Sequence, residues 1–202
     1  AYPDPQDPVT ASLGDGAAAG LLGIELHTRR RNRMNGTLRA LTAKGFEVAV
    51  EHAFGNCPQY IQLRDFAFVR EPGDFAEVPT AQTLGMDSPR VRAMIAEADT
   101  FFVSSYVDDA NGRHVDASHR GGKSGFVRIN QDGSLTIPDF AGNLHFNTLG
   151  NILLNPKVGL VFPDFATGDM LHLTGDAEVV LESDEIAAFQ GAERLWVFRP
   201  RK

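Results

Sequence analysis

Apolar and polar residues alternate over much of the chain, the period-2 pattern of half-buried strands. "AAAGLLGIEL" and "NRMNGTLRAL" read as two strands around the basic turn "HTRRR", and "FEVAVEHAF" reads as a third. "GNCPQYIQ" closes that unit with turn residues. A Pro- and Gly-bearing stretch of low periodicity, 63 to 87, reads as a connector. The period then becomes helical. In "SPRVRAMIAEA" Ser88 is placed to cap, Pro89 suits the first turn, and Val91, Met94, Ile95 and Ala98 share a face. Strands return at "TFFVSSYV" and "HVDAS", joined through "DDANGR", whose Asn111-Gly112 pair signals a hairpin turn. "GFVRI", the turn "NQDG" and "SLTIPDF" follow. "NLHFNTLGNILL", residues 143 to 154, reads as a short amphipathic helix with Leu149, Ile152 and Leu153 inward, stopped by Asn155-Pro156. A strand, turn and strand come next, and "ESDEIAAFQGAERLWVFRP" supplies a helical turn and a last strand. The pattern predicts a mainly β fold with a few short helices.

One unit occurs twice. "GLLGIELHTRRRNRMNG", residues 20 to 36, aligns without a gap on "GLVFPDFATGDMLHLTG", residues 159 to 175, at a constant offset of 139. Gly20/Gly159, Leu21/Leu160, Thr28/Thr167 and Gly36/Gly175 are identical, and Leu22/Val161, Glu25/Asp164, Leu26/Phe165 and Met34/Leu173 keep chemical type. Glycines and alternating apolar residues recur in any strand pair, so chance similarity stands beside repetition.

Composition narrows the classes. The length, 202 residues, is one large domain or two small ones, and the hydrophobic share of 43% and charged share of 22% are those of an ordinary globular chain. No apolar run approaches the roughly 18 residues of a membrane span, so no membrane association is expected. A single cysteine forms no internal disulfide, which fits a reducing cytoplasm. A net charge of -7 argues against nucleic acid as a partner, while leaving room for a local basic patch that holds a small anion.

Candidate chemistry is sparse when read residue by residue. "HRGGKSG", residues 119 to 125, is a Gly-rich loop able to cradle a phosphate with backbone amides, though neither a P-loop nor a dinucleotide fingerprint. Lys123 and Arg128, taken alone, read as ordinary solvated charges. His114 and His119 point to opposite faces of one strand, so with Asp116 they make no metal site. Cys57 has no base beside it in sequence and reads as a structural thiol before a nucleophile. "HTRRRNR" is a basic hairpin tip or a phosphate site.

The runs "FFVSSYVDDANGRHVDASHRGGKSGFVRI" and "LTIPDFAGNLHFNTLGNILLNPKVGLVFPDFATGDMLHLTGDAEVV" resemble the pyridoxamine 5'-phosphate oxidase-like family, an FMN-binding split β-barrel. Residues 20 to 62 resemble the back half of a second member, as in tandem-copy proteins. The division this implies is an arm at 1–19, a partial repeat at 20–62, the connector at 63–87 and a flavin-binding barrel at 88–202. Family members place two basic residues at the ends of a six-residue strand, and "KSGFVR" supplies Lys123 and Arg128. The family's phosphate-holding Ser-Arg-Lys triplet falls on Phe146, Asn147 and Thr148, of which Asn147 and Thr148 donate hydrogen bonds at a helix N-terminus. Asn151 lies one turn further on. The cofactor-binding set implied by the resemblance is His119, Arg120, Gly121, Lys123, Gly125, Phe126, Arg128, Asn147, Thr148 and Asn151.

The oxidase's Arg-Gln pair before a strand glycine is replaced by Asp169 and Met170 ahead of Gly175, which argues against pyridoxamine phosphate as substrate. Ahead of Gly36 stand Arg30 and Arg31, expected near the flavin phosphate or on the rim of its pocket. The resemblance implies an FMN-dependent oxidoreductase, a small-molecule substrate or electron donor, and a homodimer. The flavin carries the redox chemistry and no catalytic side chain is named. The other readings are a non-catalytic flavin or haem binding protein and a deazaflavin-dependent reductase on the same fold.

Overall fold

Strand pairing divides the chain into two antiparallel sheets. The computed structural model describes residues 8–42, 45–55, 57–68, 81–142 and 145–201. The first sheet is the meander β1 (Ala18–Glu25), β2 (Arg30–Thr42) and β3 (Gly45–Gly55). The second contains β4 (Thr100–Asp109), β5 (Gly112–Gly121), β6 (Arg128–Ile129), β7 (Leu135–Phe140), β8 (Lys157–Pro163), β9 (Met170–Val180) and β10 (Ala192–Pro200). Its order is β5-β4-β8-β9-β10-β7-β6. Among the described residues the α-helices are α1 (Pro89–Glu97) and α2 (Asn147–Leu154), with short 3-10 turns at Pro8–Ser12 and Asp184–Ala188. The fold is therefore mainly β with short helices, as the alternation predicts. Among the described residues, no helix is long and apolar enough to cross a membrane.

The second sheet closes around aromatic rings. Phe101 stacks on Phe162 at 5.0 Å and on Phe126 at 5.8 Å, with Trp196 at 6.2 Å. Leu135, Ile137, Leu160 and Phe198 complete the centre, and α1 caps it with Val91 and Ile95. Pro89 opens α1 at its first turn, but Ser88 makes no side-chain capping bond. α2 buries Thr148, Leu149 and Ile152, whereas Leu153 is 53% exposed, contrary to the inward position expected of it. Leu153 lies roughly 90° round the helix from the centre of that buried face, beyond what the sheet covers. Part of the expected helix, residues 143 and 144, lies outside the described residues, as do parts of the arm and connector.

A second expectation is also corrected. "KSGFVR" is not a six-residue strand: Phe126 N–H donates to the Lys123 carbonyl at 3.0 Å, and Gly125 sits at φ +82°. That tight turn occupies the segment, and pairing begins only at Arg128.

The two similar hairpins keep one register. Gly20 pairs with Asn35 and Leu21 with Met34, while Gly159 pairs with Thr174 and Leu160 with Leu173. A Cβ on Gly36 would stand 2.1 Å from the Ala49 carbonyl oxygen, and one on Gly175 would stand 2.1 Å from that of Arg199. In both places the third strand of a meander approaches where a side chain would block it.

The first sheet lies against β5, where Gly20 leaves room for the backbone of Ala117 and the side chain of Val115. The chain leaving β3 then crosses back over the end of β5. Ile61 is buried there, Gln62 Nε2 donates to the Gly122 carbonyl at 2.9 Å, and Arg64 Nη2 donates to both carboxylate oxygens of Asp99, at 2.7 and 2.8 Å. Gly121 is needed at this crossing, because a Cβ would meet the Tyr60 carbonyl oxygen at 2.1 Å.

Candidate functional site

A cavity of about 100 Å³ opens between the first sheet, β5 and the start of α2, lined by Arg31, Arg33, Ser118, His119, Arg120 and Thr148. Its remaining wall comes from Cys57, Tyr60, Phe126, Phe140 and neighbours. Alternation sets the cationic side: Arg31 and Arg33 are two apart on β2 and project to the same face of that strand.

Arg33 is 7% exposed. It donates from Nη1 to Asp116 Oδ1 and from Nη2 to Ser118 Oγ, both at 2.6 Å. Ser118 Oγ donates in turn to Asp116 Oδ2 at 2.9 Å, and Thr148 Oγ1 lies 2.8 Å from both. A buried carboxylate is thus shared among a guanidinium and two hydroxyls, locking β2, β5 and α2 together.

His119, 6% exposed, has its tautomer fixed by its neighbour. Arg31 Nη1 lies 3.0 Å from His119 Nδ1, and because a guanidinium only donates, Nδ1 accepts. The neutral ring therefore carries its proton on Nε2. Burial, Arg31 and Arg120 hold His119 far below its ordinary pKa of 6.5, at about 3. Burial and the charges of Arg33 and Arg120 pull Arg31 down to about 10. Arg120 pairs with Asp139, which Arg194 also approaches at 3.4 Å.

The cluster remains short of negative charge. Arg31 Nε, Arg33 Nε, Arg120 Nε and His119 Nε2 are buried and have no hydrogen-bond partner among the described residues. Four buried, unpartnered N–H donors thus belong to residues that line one cavity, a cationic setting suited to an oxyanion. Beside it, Tyr60 and Phe140 lie with ring centroids 5.5 Å apart, and Phe126 adds a third ring to the lining.

The sequence-derived candidates are dispersed by the fold. His119, Arg120, Gly121, Phe126 and Thr148 meet at the cavity. Asn147 and Asn151 instead line a neighbouring cavity of about 280 Å³ with Asn35, His52 and His114. Asn151 donates to Ser105 Oγ at 3.1 Å. Lys123 and Gly125 stand exposed on the tight turn. Arg128 is bonded to Asn130 and Thr136 and paired with Glu185. Of the arginines ahead of Gly36, Arg31 enters the cavity while Arg30 is exposed. Sequence reasoning missed Ser118, Tyr60 and Phe140, and held Arg33 only within the basic run "HTRRRNR" without singling it out. The i, i+2 spacing of Arg31 and Arg33 on a strand was the available signal for Arg33.

No family model and no curated protein matches the sequence. Among solved structures, the chain is similar to HupZ of Group A Streptococcus, at 14% identity over 57% of this chain and 90% of that chain, TM-score 0.42. It is also similar to a candidate pyridoxamine 5'-phosphate oxidase from Lactobacillus delbrueckii, at 15% identity over 56% and 90% of the two chains, TM-score 0.40. A Clostridium acetobutylicum protein related to general stress protein 26, of the pyridoxinephosphate oxidase family, gives 15% identity, 55% and 81% coverage and TM-score 0.37. No residue's role follows from these likenesses.

Proposed function

We propose that this chain binds FMN and is an FMN-dependent oxidoreductase of the pyridoxamine 5'-phosphate oxidase-like kind, with the flavin phosphate held in the cavity between β2 and β5. The observation that carries this reading is the set of four unpartnered nitrogens of Arg31, Arg33, His119 and Arg120. A phosphate matches them in charge, in number of acceptors and in the size of the cavity. Drug-sized ligands occupy roughly 300 Å³ or more, so the cavity takes the phosphate end, and the rings of Tyr60, Phe126 and Phe140 offer apolar surface beside it. FMN, when bound, supplies the redox chemistry. The residues of this chain bind and orient: Arg31 fixes the His119 tautomer, His119 offers its Nε2 proton, and the Arg33 and Asp116 pair keeps the two sheets in register around the anion.

The same reading carries a small-molecule substrate or electron donor and a homodimer, which sedimentation with and without FMN tests. Fluorescence titration of FMN against Arg31→Ala and Lys123→Ala tests the site. Loss of one charge-assisted contact costs roughly 1.5 to 3 kcal/mol, so Arg31→Ala weakens FMN by tenfold or more and Lys123→Ala changes it little. Equal effects in the two variants, or no FMN binding by the intact chain, defeat the proposal. Electron transfer from reduced FMN to a tested acceptor separates an enzyme from a binding protein.

A further inference from the structure

Cys57 is the single cysteine of the chain and is exposed. It lines the same cavity as Arg31, Arg33, His119 and Arg120. Its backbone is held there, the carbonyl accepting from Arg31 Nη2 at 3.1 Å. Its sulfur makes only a long contact, 3.9 Å to Gln59 Oε1, which leaves the thiol weakly engaged. An independent feature points to an incoming anion at this spot: His119 Nε2 and Arg33 Nε, on side chains more than nine-tenths buried, have no partner among the described residues. A thiolate is the reactive form of cysteine, and a cationic surround favours the approach of negatively charged reagents.

We propose that Cys57 is a thiolation site: it exchanges with disulfides that carry carboxylates, and the attached group occupies the cationic cavity in place of a phosphate. The Cys57 thiol loses its proton to solvent and the thiolate attacks one sulfur of the disulfide. The new S–S bond forms as the old one breaks, and the electron pair leaves with the displaced thiolate. Excess free thiol reverses the exchange. The competition rests on the phosphate assignment above, because the attached carboxylates and the flavin phosphate meet the same donors; the reactivity of Cys57 does not.

The test compares 5,5'-dithiobis(2-nitrobenzoate), a dianion, with cystamine, a dication, on the intact chain, each rate normalised to that with free cysteine. With one thiol in the chain, the mass increase reports Cys57 alone. The dianion is favoured about tenfold or more, and high salt or inorganic phosphate removes the advantage. Arg31→Gln diminishes it, and Cys57→Ser abolishes labelling. Equal normalised rates, or a preference that phosphate leaves untouched, overturn the proposal. FMN titration of labelled and unlabelled protein completes it, with tenfold or greater weakening expected on labelling. Equal FMN affinity in the two forms overturns the shared occupancy. If FMN fails to bind even the unlabelled chain while the dianion preference and phosphate protection persist, the flavin reading falls and the thiolation site stands.

Discussion

The meanders β1–β2–β3 and β8–β9–β10 share a hairpin register and a matching close approach at Gly36 and Gly175, yet they are stabilised by different physics. In the second, Val158, Leu160, Phe162, Leu173, Trp196 and Phe198 are buried in one apolar core. In the first, among the described residues, the buried side chains are Leu38 and Arg33, and Leu21, which occupies the place of Leu160, is only half-buried. The face of β9 carrying Met170 and His172 is exposed, while the corresponding face of β2 carries Arg31 and Arg33 and docks on β5. A strand framework specifies pairing and little else. What each face is for is decided by the residues placed on it.

Three perturbations break or sharpen that contrast. The largest is Arg33→Met, which leaves the Asp116 carboxylate buried without its guanidinium and costs about 3–5 kcal/mol. Its damage falls on the contact between sheets, so proteolysis cuts between 8 and 68 while the second sheet keeps its protection. Adding Asp116→Leu recovers most of the loss, and unchanged denaturation in the single variant refutes the dependence on this pair. Next is the matched pair Leu160→Ala and Leu21→Ala. The first empties a site that is 1% exposed and costs roughly 2–5 kcal/mol; the second costs under about 1.5 kcal/mol. Comparable urea midpoints in the two variants would mean that the first meander has a core after all.

The smallest effect is in pH. The pKa of His119 is lowered in the fold, so the unfolded chain takes up a proton that the native state refuses. Its contribution is complete above the ordinary value of 6.5 and is lost progressively as pH falls toward about 3. The slope is at most about 1.4 kcal/mol per pH unit. Chemical denaturation at pH 7, 6 and 5 shows this slope in the wild type and a flatter one in His119→Gln. Parallel curves would place the titration elsewhere.

Period-2 alternation located the strands because half-buried strands must alternate, and the β4–β5 and β8–β9 hairpins follow it closely. Two local failures have local causes. Gly125 in the left-handed region made a turn of what reads as a strand, and Leu153 satisfies the helical spacing without having a surface above it. The site was less legible. His119, Arg120, Gly121, Phe126 and Thr148 come from contiguous motifs and meet at the cavity, but the anion-binding charge also depends on Arg31 and Arg33. Those arginines reach it across 88 and 83 residues of sequence. Spacing within a motif carries no information about which face of a distant sheet will lie over it. That is fixed by the complementarity of a buried arginine and a buried aspartate.

The pairing of Arg33 with Asp116 also sets an order of assembly. The first meander is made of neighbouring hairpins, whereas its docking surface on β5 lies 83 residues downstream of Arg33. At translation rates of roughly 5–20 residues per second, the arginine-bearing face waits several seconds for its aspartate. During that interval the nascent chain presents a basic patch with a thiol at its edge, open to any acidic surface nearby. Refolding from denaturant carries the same signature. The expected outcome in stopped-flow refolding is that docking of the first sheet comes last and that Arg33→Met slows this phase alone; an equal slowing of every phase would refute the order.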